Sequence, residues 1–188
     1  MRRFILACAG LLACCSIGIA GGMSQATAAI TKERAGEQRH AAIKWLEGQI
    51  VGYQKATWHW QRLMGVPLTA TQGRMLAEMS IPDVQRAVRL WHHLATEARQ
   101  KAQNPPHKEA FLCIHHYEGS WPSNTGNGYY GGLQMNLGFQ QTYAPWLLRT
   151  KGTADHWTPL EQVWIAERAA KSRGFYPWPN TARFCGLI

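Results

Sequence analysis

Apolar residues recur at helical spacing through much of the first half of the chain. Val84, Val88, Trp91, Ala95 and Ala98 fall on one stripe, with Arg86, Arg89 and Arg99 among the other positions, as an amphipathic helix requires. Ser80-Ile81-Pro82-Asp83 marks its start with a capping hydroxyl, an early proline and an early carboxylate. Upstream, Ala42 to Met64 carries Trp45, Ile50, Trp58 and Leu63, although Gly48 and Gly52 weaken a helix there. The tryptophans of this stretch read as core. Residues 31 to 104 are therefore expected to be helical, and Asn104-Pro105-Pro106 breaks the pattern and sets a boundary.

Beyond the break, His107 to Tyr117 fits a helix of about three turns that brings Phe111, Cys113 and Ile114 toward its inner side. Glycines 119, 126, 128, 131 and 132 then crowd a short stretch. Such density belongs to turns in which backbone approaches a ligand or a neighbouring strand. Thr158-Pro159-Leu160-Glu161 forms a capping box with proline in the first helical position, opening a helix that runs to Arg173 and stops at Gly174. The tail FYPWPNTARFCGLI is aromatic and stiffened by proline.

Composition adds a sign and a compartment. The 188 residues include nine Trp, six Tyr and five Phe, too much apolar bulk for a disordered chain, and enough length for a real core. Twenty Lys and Arg against eleven Asp and Glu give a net charge of +9, so an anionic partner is expected. The start reads as an export signal over residues 1–28. MRR is basic, FILACAGLLACCSIGIAGG is apolar and uncharged, and Ala26-Thr27-Ala28 is a small-x-small cleavage pattern. An uncleaved membrane anchor and a lipid-modified Cys14 are the competing readings. In each case the body of the protein is secreted or held at the cell surface.

Export changes the cysteine count. Cys8, Cys14 and Cys15 lie within the signal, leaving Cys113 and Cys185. Two cysteines in an oxidising compartment read as one disulfide, with two buried thiols as the alternative. Removing Arg2 and Arg3 leaves 18 basic and 11 acidic residues, a charge of +7. An exported basic protein points to cell-wall polymers before nucleic acid, and the basic residues form no tight run of the kind nucleic-acid binding uses.

Glu118 is the leading chemical candidate. It ends an apolar helix between Tyr117 and the glycine-rich stretch, with Trp121 close by. A carboxyl in such surroundings is expected to be poorly solvated, which raises its pKa and fits it to donate a proton. Glycoside cleavage needs such an acid at the leaving oxygen. The plainer alternative is a helix-end carboxylate with no task. His115 and Glu118 are three apart, but no His-Glu-x-x-His spacing makes a metal site. His92-His93 and His115-His116 read as solvated or structural, and no phosphate-binding glycine loop with a following lysine occurs. No metal and no cofactor is expected.

The segment CIHHYEGSWPSNTGNGYYGGLQM, followed by AERAAKSRGFYPWPNTARFCG, resembles the catalytic domain of resuscitation-promoting factors. These are secreted, transglycosylase-like peptidoglycan hydrolases with a lysozyme-like fold. The resemblance covers residues 108–188, with NTGNGYYGGLQ its most specific string, and the helical region 31–104 lies outside it. It implies a mainly α, α+β lysozyme-like catalytic domain over 107–188, following the helical region and closed by a Cys113–Cys185 disulfide. It further implies Glu118 as the catalytic acid and Asn124, Tyr129, Tyr130 and Gln134 as substrate-cleft residues, with Trp121 beside them for sugar stacking or packing. Three departures stand out. The spacer from Glu118 to NTGNG is two residues shorter than usual, Cys113 lies five positions before Glu118 rather than adjacent to it, and Phe139 stands where the family has a cleft threonine.

The implied reaction uses one carboxylate. Glu118 would protonate the oxygen between MurNAc and GlcNAc and then take a proton from the attacking hydroxyl. That hydroxyl is the sugar's own C6 group in a lytic transglycosylase and water in a lysozyme, where a second carboxylate often helps. Asp155 is the nearest candidate for such a partner. The expected partners are peptidoglycan glycan strands and other anionic wall polymers, with no nucleic acid. A reading from another class is a non-catalytic wall-binding protein that keeps the cleft for sugar and uses its charge and tryptophans for attraction.

Overall fold

The computed structural model describes residues 17–71 and 78–188, with backbone alone over 17–24. Most of the segment expected to be an export signal, including Cys8, Cys14 and Cys15, lies outside the described residues. The chain divides into two compact units between Trp45 and Leu46. Within the first, the described part is the opening of helix α1 (Ile17–Met64), solvent-exposed from residue 25 to 41 and including Ala26-Thr27-Ala28. Among the described residues no helix is long and apolar enough to cross a membrane.

The second unit holds the rest of α1, then α2 (Ile81–Ala102), α3 (Lys108–Glu118), β1 (Tyr129–Tyr130), β2 (Met135–Asn136), α4 (Leu137–Tyr143), α5 (Pro145–Lys151), a 3-10 turn (Ala154–His156), α6 (Pro159–Arg173) and α7 (Pro179–Phe184). It is mainly helical, with one antiparallel pair in which Tyr129 faces Asn136 and Tyr130 faces Met135. Helix α1 continues through Gly48 and Gly52, and Cβ atoms at both would meet open space. The glycine cost of about 1 kcal/mol each is set against the burial of Leu46, Ile50 and Leu63 along the same helix. Each large apolar side chain buried this way contributes about 1.5–3 kcal/mol.

The expected helix signals hold at their ends. Ser80 caps α2 by accepting from the Asp83 amide, and Thr158 and Glu161 close a reciprocal capping box on α6. Gly174 ends α6 in the left-handed region, at φ +55°. The α3 helix is displaced by one residue from expectation, with His107 as its cap and Glu118 inside its last turn.

Two clusters fill the unit. Leu46 and Ile50 pack with Val84 and Trp91, and Trp58 meets Trp91 edge-on at 6.0 Å. Trp45 is instead 66% exposed, correcting the reading of it as core. The main cluster joins Leu63 of α1 and Ala102 of α2 to Phe111 and Ile114 of α3, Leu133, Leu147, Trp164, Ile165 and Trp178. The packing therefore runs across Asn104-Pro105-Pro106, which turns the chain between α2 and α3 within one core. Trp164 reinforces this by donating its indole N–H to the Ala102 carbonyl at 2.7 Å.

Candidate active site

Glu118 stands at the C-terminal end of α3, and α7 lies against that helix. The Cys113–Cys185 disulfide ties α3 to the residue that follows α7. One turn inward, Thr181 of α7 donates its hydroxyl to Glu118 Oε1 at 2.8 Å. The carboxyl is half-buried rather than enclosed. The aromatic neighbours expected to shield it lie elsewhere: Tyr117 is exposed, and the Trp121 ring stacks on His115 at 3.8 Å and 20°.

Immediately after Glu118 the chain turns at Gly119, φ +153°, where an added Cβ would lie 3.7 Å from the Gln134 amide nitrogen. Gln134 in turn lines a cleft of about 250 Å³ whose wall also includes Tyr129, Asn136, Phe139, Thr142, Tyr143, Arg173 and Trp178. Glu118 is not itself part of that wall; it is linked to it through Gly119, which approaches Gln134, and through Thr181, one turn from Trp178. Gln134 itself holds φ +46°, a left-handed conformation uncommon for a residue with a side chain, and its amide donates to Gly131 O at 2.9 Å. Strained backbone of this kind persists where the surroundings fix it and concentrates at functional sites.

The glycine-rich loop is held by buried amides. Gln162, fully buried in α6, accepts from the Gly132 amide at 2.8 Å and donates to the carbonyls of Trp121, Ala154 and Trp157. Two glycines are required for this approach. A Cβ on Gly131 would stand 2.4 Å from Gln162 Oε1, and one on Gly132 would stand 2.5 Å from His115 Nδ1. Gln140 performs the same service below, donating to Met135 O at 2.7 Å and accepting from the Ala154 amide. Trp178 donates to Leu133 O at 2.7 Å, fixing the cleft floor next to Gln134.

The residues singled out from sequence therefore divide into three groups. Tyr129 and Gln134 line the cleft, and Glu118 precedes Gly119, which approaches Gln134. Asn124 and Tyr130 shape the loop: they form an isolated backbone bridge, and the Asn124 amide donates to Asp155 Oδ2 at 3.3 Å. Trp121 is not part of the cleft wall. It borders a separate hollow with Leu112, Leu160 and Val163. Asp155 is committed to the loop as well. Burial pushes its pKa up, but hydrogen bonds from Thr153, its own backbone and Asn124, with His156 nearby, hold the carboxyl below the usual aspartate value. Phe139, the departure from the family threonine, does face the cleft, packed against Tyr143 and Trp178. Thr181, Gln162, Asn136, Thr142, Tyr143, Arg173 and Trp178 were not picked out by sequence reasoning, since nothing local marks them.

Residues 115–181 match the family model of the Transglycosylase-like domain. This part of the chain is a transglycosylase-like domain. Its mainly α, lysozyme-like architecture carries one disulfide, as expected. The chain is 37% identical over 65 residues to resuscitation-promoting factor RpfE of Mycobacterium tuberculosis, covering 35% of each protein. It is 36% identical over 69 residues to resuscitation-promoting factor Rpf1 of Corynebacterium glutamicum, covering 37% of this chain and 35% of that one. The similarity thus spans about a third of the length of these curated relatives, and the family-model match begins at residue 115, beyond helices α1 and α2.

Proposed function

We propose that the transglycosylase-like domain cuts peptidoglycan glycan strands between MurNAc and GlcNAc, with Glu118 as its single acid–base group. The reading rests on the state of that carboxyl: half-buried, accepting from Thr181, and followed by Gly119, whose backbone approaches the cleft residue Gln134. A glycan strand offers apolar ring faces for Tyr129, Tyr143 and Trp178, and hydroxyl and amide groups for Gln134, Asn136 and Thr142. The stem peptide joined to the muramic lactyl group carries carboxylates, which Arg173 on the cleft wall would attract.

In the first step protonated Glu118 gives its proton to the glycosidic oxygen as the C–O bond breaks. The resulting carboxylate then takes a proton from the hydroxyl that attacks the sugar's anomeric carbon. Asp155 is tied to Asn124 and Thr153 within the loop, which favours the one-carboxylate route with the C6 hydroxyl as nucleophile and an anhydro product. An export signal over residues 1–28 would deliver the protein to its wall substrate, and a disulfide suits an oxidising compartment.

Glu118→Gln keeps shape and polarity and removes the transferable proton. The expected loss in muropeptide release from purified wall is at least ~100-fold, with the melting temperature unchanged. Parental release by Glu118→Gln would sink the assignment. Wall binding without released fragments, by the parent protein, would favour the non-catalytic alternative instead. Mass spectrometry of the fragments then reads the product: anhydro ends for transglycosylation, reducing ends for hydrolysis.

A further inference from the structure

The geometry points to Thr181 as the positioning residue of the acid, selecting which carboxyl oxygen of Glu118 carries the transferable proton; this rests on the reading of Glu118 given above. Thr181 is 8% exposed, and its hydroxyl has two acceptors in reach, Glu118 Oε1 at 2.8 Å and Trp178 O at 3.4 Å. A helical threonine commonly bonds back to a carbonyl of the preceding turn. Here the contact to that carbonyl is long at 3.4 Å, and the contact to Glu118 Oε1 is a full-strength 2.8 Å. The single hydroxyl proton therefore goes to Glu118.

Helix α7 is fixed well enough for the bond to have consequences. Before the helix, Trp178 donates to Leu133 O at 2.7 Å; after it, Cys185 is joined to Cys113 of α3. Thr181 lies between these two ties, so its oxygen has a set position relative to the end of α3. A hydroxyl donor held at Oε1 suits both charge states of the carboxyl. The ionised group accepts there, and the neutral group does so with its carbonyl oxygen, which leaves its proton on Oε2. Proton delivery and return then both use Oε2, with no rotation of the carboxyl between the two steps. Pre-set geometry of this kind acts on turnover, whereas substrate affinity comes from the cleft wall.

Thr181→Val keeps the shape and removes the hydroxyl; Thr181→Ser keeps the hydroxyl and removes the methyl. Both are made in the full-length, disulfide-bonded protein and measured by steady-state release of fragments from purified wall, with Glu118→Gln alongside. Thr181→Val is expected to lose about 10-fold in kcat with KM within about twofold, and Thr181→Ser to stay within about twofold of the parent in both. A parental kcat in Thr181→Val overturns the inference. So does the reverse pattern, with Ser impaired and Val active, because the methyl would then be what matters. If Glu118→Gln is inactive while Thr181→Val is fully active, only the role of Thr181 falls. If Glu118→Gln is as active as the parent, the reading of Glu118 falls and takes this one with it. Melting curves of both threonine variants confirm that a lower rate is not a lower folded fraction.

Discussion

The two ends of the transglycosylase-like domain treat carboxylates in opposite ways. On α6, Glu161 and Glu167 are 1% and 2% exposed and are surrounded by donors. Glu161 accepts from Lys151 Nζ at 2.6 and 2.9 Å and from the Thr158 amide and hydroxyl, with His59 Nε2 at 3.6 Å. Glu167 accepts from the backbone amide of His107 and meets its Nδ1 at 2.9 Å. Burial pushes the Glu161 pKa up, but Lys151 and Thr158 together outweigh it and hold the group below its usual value. At the α3–α7 end, Glu118 has one side-chain hydrogen bond among the described residues and is half-buried. Buried and saturated carboxylates hold helices together. A half-buried carboxyl with acceptor capacity to spare is what the proposed acid–base role of Glu118 requires.

Removing the tie at one end and the ion cluster at the other sharpens this contrast. The Cys113–Cys185 bond closes a separation of 72 positions, which the chain-entropy model values at about 4 kcal/mol. Replacing both cysteines with serine should lower stability by an amount of that order in urea unfolding. It should also lower activity per folded molecule, because the same bond holds α7 and Thr181 against the acid's helix. Unchanged turnover in the folded variant would break the link between the two. Glu161→Gln should cost about 2 kcal/mol by leaving Lys151 without its carboxylate, while the Gln side chain can still complete the capping box. Its turnover, measured well below the unfolding midpoint, should match the parent. A turnover defect there would mean that the α6 cluster does more than hold the fold.

Local signals were legible in the sequence. The Ser80 cap, the Thr158–Glu161 box and the Gly174 stop depend on residues within a few positions of each other, and all three formed. The Cys113–Cys185 pair was legible from export and count, because few other pairings were left. Contacts that depend on packing between distant elements were not. Thr181 is 63 positions from Glu118, and Gln162 is 30 from Gly132. Trp45 illustrates the limit of periodicity. Leu46 and Ile50 are four apart and share the buried face, while Trp45 lies about 100° around the helix from Leu46 and faces solvent. The expected shielding of Glu118 failed for a related reason: adjacency in sequence does not fix where a ring packs, and Trp121 turns to His115.

The smallest effect, and the most specific to the saturated end, is a pH dependence from His59. Burial is the main cause of its pKa falling below the usual 6.5, and the nearby Lys151 and Arg62 charges add to it while Glu161 opposes them. The unfolded chain therefore binds a proton at His59 before the folded one does. Stability contributed by neutral His59 is present above about pH 6.5 and is lost as pH falls from there toward the lower folded value. Glu161 also has a lowered folded pKa, so its contribution declines only at more acid pH, below its usual 4.5. The parent should thus lose stability in two separate ranges on acidification. His59→Gln should remove the first and leave the second. Urea midpoints for both proteins from about pH 7.5 to about pH 5.5 measure the first range. Parallel midpoint curves across it would show that His59 titrates alike in both states.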